Sequence, residues 1–156
     1  MQAVYIEAHG GPEVLTYGER PEPQVQAGEV KIKVRATALN RLDLYTRDGG
    51  RGLEREFPPP LILGGDCAGE IAEVGDGVAG FKPGDRVVIN PRLSCMQCAP
   101  CLAGQDDLCR RSRFLGSAID GSYADYISLP AANAHLLADS VSFEHAAAAP
   151  TTYLPV

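Results

Sequence analysis

Four cysteines, separated by two, two and seven residues, occupy one short segment of the chain. Disulfides between thiols spaced this closely would be strained, whereas four thiolates can surround a single ion. Zn²⁺ takes four sulfur ligands in a tetrahedron at about 2.3 Å, and such a closed site has no open position for substrate. The spacing therefore predicts a structural Zn²⁺ site at Cys95, Cys98, Cys101 and Cys109, in a lobe over residues 92–113 that performs no chemistry itself.

The sequence alone leaves two alternatives to a zinc site. Some iron–sulfur clusters also use cysteine runs that begin with two-residue gaps, but here the fourth cysteine follows after seven residues and Arg110, not proline, comes next. Ordinary unligated cysteines are the other alternative, and the tight spacing argues against them. Arg92, Arg110, Arg111 and Arg113 could offset the net charge of about −2 on a four-thiolate zinc site, or could be solvated surface side chains.

The bulk composition narrows the class of protein. A chain of 156 residues is long enough for one domain with its own core. Its formal net charge of −6 argues against a nucleic-acid partner or an anionic membrane surface. The sequence shows no apolar run of membrane-spanning length and no secretory signal. Clustered thiols without such a signal favour the cytoplasm.

Short apolar runs between glycine- and proline-rich turns predict a mainly β fold. The clearest strand is Val30–Ala36, which alternates apolar and charged residues and so predicts one buried and one solvated face. A partly open β-barrel is the natural closure for many such short strands. The remaining predicted strands cover residues 3–8 and 14–17 as a hairpin, then 70–75, 86–89, 122–128 and 134–137.

Two short helices are also predicted. Asn40 is suited to cap the first, and Ser142 caps a second over residues 143–149 that Pro150 interrupts. The proline-rich segment 51–60 is either a mobile loop over a cleft or a plain surface connection.

Three segments together resemble the medium-chain dehydrogenase/reductase family, which includes zinc-type alcohol dehydrogenases and quinone oxidoreductases. They are Val30–Asp43, Gly64–Gly75 and Phe81–Val87, and the four-cysteine lobe is similar to the family's structural zinc site. The resemblance implies a GroES-like domain over residues 1–150, a partly open β-barrel with short helices and a four-cysteine zinc lobe. It also implies that residues 151–156 begin the junction to a nucleotide-binding domain of the Rossmann type, which this sequence does not contain.

Two positions depart from the zinc-dependent members of that family. The resemblance implies that zinc-dependent members have a cysteine at the position equivalent to Asn40 and a histidine at the position equivalent to Gly65. Those two residues bind a catalytic zinc. An amide is a poor zinc ligand and glycine offers no side chain, so we expect the structural zinc to be kept and the catalytic zinc to be lost. Asn40 and Asp43 resemble instead the quinone oxidoreductase branch, which works without metal but usually lacks the cysteine lobe.

The resemblance implies an NAD(P)H-dependent oxidoreductase acting on a small-molecule carbonyl, quinone or enone. Without a Lewis acid, hydrogen-bond donors must stabilise the charge that develops on the substrate oxygen. Asn40 is the expected donor and also a cofactor contact, and Asp43 fixes the turn around it. Tyr45 is either a donor or proton relay, or a core aromatic. Asp66 lies where the family has an acidic residue beside its metal ligand, so it is a further site candidate. Thr152 is expected to approach the nicotinamide.

A non-enzymatic role is the alternative hypothesis. If the chain ends naturally at Val156, a zinc-stabilised barrel could bind a partner or dimerise, because hydride transfer needs a cofactor that this domain alone can hardly hold. A glycine-rich βαβ unit in the downstream reading frame would favour the enzyme hypothesis. A stop codon there would favour the non-enzymatic hypothesis. We also expect a homo-oligomer, either a dimer or a tetramer.

Overall fold

The computed structural model describes residues 1–50, 57 and 59–153. These residues form a mainly β architecture with few, short helices, as predicted. The strands are β1 (Gln2–Ile6), β2 (Thr16–Glu19), β3 (Glu29–Ala38), β4 (Leu61–Ile62), β5 (Asp66–Val74), β6 (Arg86–Ile89), β7 (Arg92–Leu93), β8 (Arg113–Phe114), β9 (Tyr126–Pro130) and β10 (Ala134–Leu136). The α-helices are α1 (Arg41–Asp48), α2 (Ala99–Leu102), α3 (Phe143–Ala147) and α4 (Pro150–Tyr153).

Five antiparallel strands form the central sheet, in the order β10-β6-β5-β3-β9. Two register shifts interrupt the pairing of β3 with β5, between Lys31 and Ile32 and between Val34 and Ala36. Because irregularities of this kind bend a strand pair and increase its twist, the sheet curls into a half-barrel. Helix α3 packs on β3 and β5.

The alternation in β3 decides which side of the sheet becomes the core. Val30 and Ile32 are fully buried, whereas Lys31 points outward and pairs with Glu22 at 2.9 Å and Glu73 at 2.8 Å. This confirms the predicted half-buried strand. The main core consists of Val30, Ile32, Cys67, Ile71, Val87, Ile89, Leu115, Ile127, Leu129 and Ala134.

The predicted hairpin at the start of the chain is present. Strand β1 pairs antiparallel with β2, with Tyr5 opposite Thr16, and β4 completes a second sheet on the other edge of β1. The backbone N–H of Val4 donates to the Tyr123 carbonyl at 2.7 Å and ties this sheet to the segment before β9. The predicted mobile loop at 51–60 lies largely outside the described residues.

Helix α1 begins and ends where the sequence predicts. The Asn40 side chain accepts a hydrogen bond from the Leu42 N–H at 3.3 Å, and Asp43 accepts one from the Asn40 N–H at 2.7 Å, which completes a capping box. Gly49 ends the helix with a φ of 74°, a left-handed conformation that suits glycine. Among the described helices, none has the length and apolar character needed to cross a membrane.

The strand predicted for residues 122–128 starts later than expected. Strand β9 begins at Tyr126, because the Ser122 N–H donates to the Gly64 carbonyl at 2.8 Å and not to a neighbouring strand of the central sheet. This different pairing brings Ser122 into the interior, where it is fully buried.

The helix predicted for residues 143–149 is shorter than expected. It ends at Ala147, and Pro150 does not interrupt it but begins the separate helix α4. Proline is tolerated in the first helical turn because its missing N–H would have no partner there. The chain therefore enters α4 as a new element with its own contacts.

We expect Gly69→Ala to destabilise the barrel by about 2 kcal/mol, since small-to-large changes in packed regions cost about 1–3 kcal/mol. A Cβ at Gly69 would overlap the Lys33 carbonyl oxygen of the paired strand and would lie 2.9 Å from Ile32 Cγ2. The matched control is Gly18→Ala in β2, whose Cβ would meet Tyr5 at an ordinary 3.6 Å. Urea unfolding of both variants measures the difference; equal midpoints would contradict the expectation.

Candidate functional site

The four predicted zinc ligands converge in the described lobe. Strands β7 and β8 pair at its base, and α2 carries the third cysteine of the group. All four Sγ atoms lie within 4.8 Å of one another, with Cys98 to Cys101 at 3.4 Å and Cys95 to Cys101 at 3.9 Å. Tetrahedral ligands at about 2.3 Å from zinc would be about 3.8 Å apart. Cys101 and Cys109 are buried, so the arrangement fits a closed, structural zinc site.

The surroundings of the lobe favour thiolate over thiol at Cys95. Hydrogen bonds from the backbone N–H groups of Gln97 and Cys98 lower the pKa of Cys95. The Arg111 guanidinium donates to Cys95 Sγ at 3.2 Å, and this contact raises the pKa of the arginine. Arg92 instead donates to the Asp107 carbonyl. Of the predicted charge-offsetting arginines, Arg111 therefore contacts a sulfur, and Arg92 supports the fold of the lobe.

A second group of polar residues, which we call the polar cluster, consists of Asn40, Asp43, Asp66, Tyr123 and Thr151. Its two carboxylates are almost fully buried, with Asp43 at 4% and Asp66 at 1% exposure. The Tyr123 hydroxyl donates to Asp43 Oδ2 at 3.0 Å. The Thr151 N–H and hydroxyl both donate to Asp66 Oδ1, at 2.9 and 2.6 Å. Asn40 lies between the two halves: its backbone N–H donates to Asp43 Oδ2 at 2.7 Å, and its side chain lies close enough to Asp66 to lower the pKa of that carboxyl.

Burial and hydrogen bonding act in opposite directions on these carboxyls. Burial is the largest effect and raises the pKa of Asp43 and that of Asp66. The N–H of Asn40 and the hydroxyl of Tyr123 counteract it at Asp43, and the two Thr151 donors counteract it at Asp66. Burial also raises the pKa of Tyr123, as do the nearby carboxylates. Tyr123 is thus a hydrogen-bond donor at neutral pH.

The backbone beneath the polar cluster is also satisfied. The Asp66 carbonyl accepts from the Thr37 hydroxyl at 2.6 Å and from the Ser122 hydroxyl at 2.9 Å. These two hydroxyls lie 3.0 Å apart. Asp66 is thus held at its backbone by β3 and by the segment before β9, and at its carboxylate by Thr151.

Three of the predicted site residues are brought together and two are not. Asn40, Asp43 and Asp66 meet in the polar cluster, and Asp43 fixes the Asn40 turn as expected. Tyr45 lies half-buried one turn further along α1. Thr152 is exposed, and its neighbour within α4 is the residue that contacts Asp66.

Sequence reasoning missed two members of the polar cluster, Tyr123 and Thr151. Each meets a partner 80 or 85 residues away in the chain, so no local spacing signals the contact. Thr151 is the neighbour of Thr152, which was the predicted site residue. Its position directly after Pro150 is the one sequence feature that could have indicated a role for it.

The space beside Gly65 is occupied by an aromatic ring. A Cβ added at Gly65 would lie 2.8 Å from Phe114 Cε1, closer than real Cβ contacts allow. The neighbouring Gly64 has a φ of 97°, a conformation that side chains rarely adopt. A ligating side chain at Gly65 would therefore displace Phe114. Gly65 itself offers no ligating side chain, and the Phe114 ring fills the space beside it.

A curled half-barrel with a buried polar cluster and four cysteines placed to hold one metal ion defines the class of domain. Residues 26–139 match the family described as the alcohol dehydrogenase GroES-like domain, and the chain belongs to this family, within the medium-chain dehydrogenases/reductases.

Named relatives agree with this assignment. The sorbitol dehydrogenase of Bacillus subtilis (strain 168) is 40% identical over 128 residues, which are 81% of this chain and 36% of that protein. The crystal structure of an NAD-dependent alcohol dehydrogenase superimposes with a TM-score of 0.94 at 47% identity, covering 99% of this chain and 44% of that one. A cobalt- and zinc-bound thermostable alcohol dehydrogenase from Pyrobaculum aerophilum gives a TM-score of 0.86 at 34% identity, covering 96% and 44%. The chain thus spans less than half the length of these relatives.

Proposed function

We propose that this chain is the substrate-side domain of an NAD(P)-dependent oxidoreductase with one structural zinc and no catalytic zinc. The names of its relatives, which include a sorbitol dehydrogenase and an NAD-dependent alcohol dehydrogenase, support the class of reaction. The expected substrate is a small carbonyl, quinone or enone, the groups to which a nicotinamide supplies hydride. The observation that carries the metal-free part of the proposal is the Phe114 ring against Gly65.

The polar cluster supplies what this chain would contribute to such a reaction. A side-chain amide has two N–H donors, and that of Asn40, which lies near Asp66 and lowers its pKa, is the proposed donor to a substrate or cofactor oxygen. Asp43 holds the Asn40 backbone in place through its capping bond of 2.7 Å. Donors fixed before the reaction stabilise developing negative charge without reorganisation. Tyr45, further along α1, is proposed as a second donor, and Asp66 as the residue that orients the Asn40 amide.

The cysteine lobe is proposed as the structural zinc site. Its ligands are Cys95, Cys98, Cys101 and Cys109, whose sulfur positions support this assignment. Bound zinc would order a segment with few buried apolar residues, and it takes no part in hydride transfer. Arg111 would offset part of the charge of the four thiolates.

The cofactor is proposed to bind mainly to a domain that follows this one. Residues 1–150 form the barrel domain, and residues 151–156 begin the junction. The shares of 36% and 44% that the chain covers of its relatives support this division. Thr152, which is exposed on α4, remains the residue that we propose to approach the nicotinamide.

We expect the purified protein, with its cofactor domain where it has one, to contain one zinc per chain by elemental analysis. Four thiolates account for that ion, and the residues at Asn40 and Gly65 account for the absence of another. Two zinc ions per chain would contradict the metal-free reaction, and iron in place of zinc would contradict the structural site. The activity itself is tested by offering NADH or NADPH together with a quinone or enone. Hydride transfer is measured as the loss of the absorbance of the reduced nicotinamide.

Association with further copies is a second proposed property. The cysteine lobe exposes three apolar side chains, Met96 at 56%, Leu102 at 76% and Leu108 at 58%. Exposed apolar groups of this size on one small lobe favour an interface, and they support the expected homo-oligomer. The same surface supports the alternative of a non-enzymatic, partner-binding module.

A further inference from the structure

We propose that Thr151 is a positioning residue that fixes the start of α4 against the site. Helix α4 begins at Pro150, where the chain leaves the barrel. The Thr151 hydroxyl donates to Asp66 Oδ1 at 2.6 Å and its backbone N–H donates to the same oxygen at 2.9 Å. Two donors from one residue on one carboxylate oxygen determine both the position and the direction of the helix start.

The residue that receives these bonds is buried and is also held at its backbone. Asp66 is 1% exposed, and its carbonyl is held by the hydroxyls of Thr37 and Ser122. A hydrogen bond to a charged group is stronger than one between neutral groups, and burial excludes the water that would compete for it. The link between Thr151 and Asp66 therefore ties α4 to the start of β5 by two hydrogen bonds.

The Asn40 side chain lies near the same carboxylate and lowers its pKa. Asp66 thus lies between the cap of α1 and the start of α4, two elements more than a hundred residues apart in the chain. If Thr151 releases the carboxylate, α4 loses its anchor and Asp66 loses the two donors that hold its Oδ1 beside Asn40. Thr151 consequently acts on the site through Asp66 and needs no contact with the substrate.

This role matters for the reaction only if the proposed function holds. In that case, the segment after α4 carries the cofactor, and the barrel carries the donors that face the substrate. Reacting groups held on two bodies must be positioned to within about 0.5 Å and about 10–20° of the productive geometry. A fixed α4 supplies that alignment at the junction.

Amide exchange measured by NMR tests the anchor directly and does not depend on activity. Protection of the Tyr153 N–H, which donates to the Ala149 carbonyl at 2.9 Å, reports the opening of α4. We expect Thr151→Val to reduce this protection about tenfold, the effect of losing a bond to a charged group, and Thr151→Ser to preserve it. Thr152→Val is the matched control, because it makes the same change at the exposed neighbour and should leave protection unchanged. Equal protection in Thr151→Val and wild type, or an unprotected Tyr153 in the wild type, would overturn the anchor.

Kinetics of the enzyme that contains the following domain test the positioning role. We expect Thr151→Val to lower kcat about tenfold with KM for the cofactor unchanged, because alignment and not cofactor binding is lost. Thr151→Ser should restore the rate. An unchanged kcat in a variant that has lost protection would refute the positioning role. A wild-type enzyme inactive with NADH and NADPH would refute the proposed function instead, and the exchange data would still decide the anchor.

Discussion

Replacing Cys98 with serine is expected to release the zinc and unfold the cysteine lobe while the barrel stays folded. The Cys98 sulfur lies 3.4 Å from that of Cys101, and a serine hydroxyl is a far poorer zinc ligand than a thiolate. Structural zinc sites have apparent binding free energies of about 10–16 kcal/mol, and this energy is largely folding energy. Loss of one ligand should weaken binding by more than the roughly 10–100-fold that outer-shell changes cause. Elemental analysis should find less than a tenth of the wild-type zinc, and hydrogen exchange should accelerate across residues 92–113.

The remaining cysteine provides a matched control. Cys67 is fully buried in the main core, and burial raises the pKa of its thiol to about 12, so it behaves as a small apolar residue. Cys67→Ser should keep the full zinc content and lower the free energy of unfolding by about 1–3 kcal/mol, the cost of an unpaired buried hydroxyl. The two variants thus change different parts of the molecule, the cysteine lobe and the main core. Loss of the whole fold in Cys98→Ser would contradict a lobe that is separate from the barrel.

Patterns that are local in the chain predicted the fold and the lobe. The alternation of Val30–Ala36 identified β3, and the cysteine spacing identified a group of four sulfurs that do lie together. The cap at Asn40 and the stop at Gly49 gave the ends of α1. In each case the signal lies within fewer than fifteen consecutive residues, although β3 itself pairs with distant strands.

Contacts between distant segments were not predictable in this way. Tyr123 meets Asp43 because the segment before β9 pairs with residues 63 and 64 instead of continuing the central sheet. Phe114 meets Gly65 because β8 carries the chain out of the cysteine lobe beside the start of β5. Neither pairing follows from a sequence period, since each depends on how two loops pack in three dimensions.

The glycines near residue 65 illustrate the same limit. Gly64, Gly65 and Gly69 lie before or within β5 and not before a helix, so they do not form a phosphate-binding turn. The sequence does not show why glycine is needed at Gly116 and Gly121, which approach this segment. In the structure, a Cβ at Gly116 would lie 2.6 Å from the Gly64 carbonyl oxygen, and one at Gly121 would lie 2.6 Å from the Leu63 carbonyl oxygen. Close approach of backbone segments beneath the polar cluster is the reason.

Replacing Asn40 with serine is expected to separate the two roles of this residue. Its side-chain oxygen caps α1 by accepting from the Leu42 N–H, and its amide is the proposed donor to the substrate. Serine caps helices about as well as asparagine, whereas alanine costs about 1 kcal/mol. Asn40→Ser should therefore keep the cap of α1 and lose the amide donor. Asn40→Ala should lose both.

Turnover and stability measured on the same pair of variants test this separation. Removing one donor to a developing oxyanion lowers kcat by about a hundredfold or more, so we expect such a fall in both Asn40→Ser and Asn40→Ala in the enzyme with its cofactor domain. Only Asn40→Ala should also shift the urea midpoint, and neither should change the zinc content, because the cysteine lobe lies outside the polar cluster. A serine variant with wild-type turnover would remove the Asn40 amide from the reaction and leave it as a helix cap alone. A serine variant with low turnover and full stability would identify the amide as the donor that acts in place of a metal.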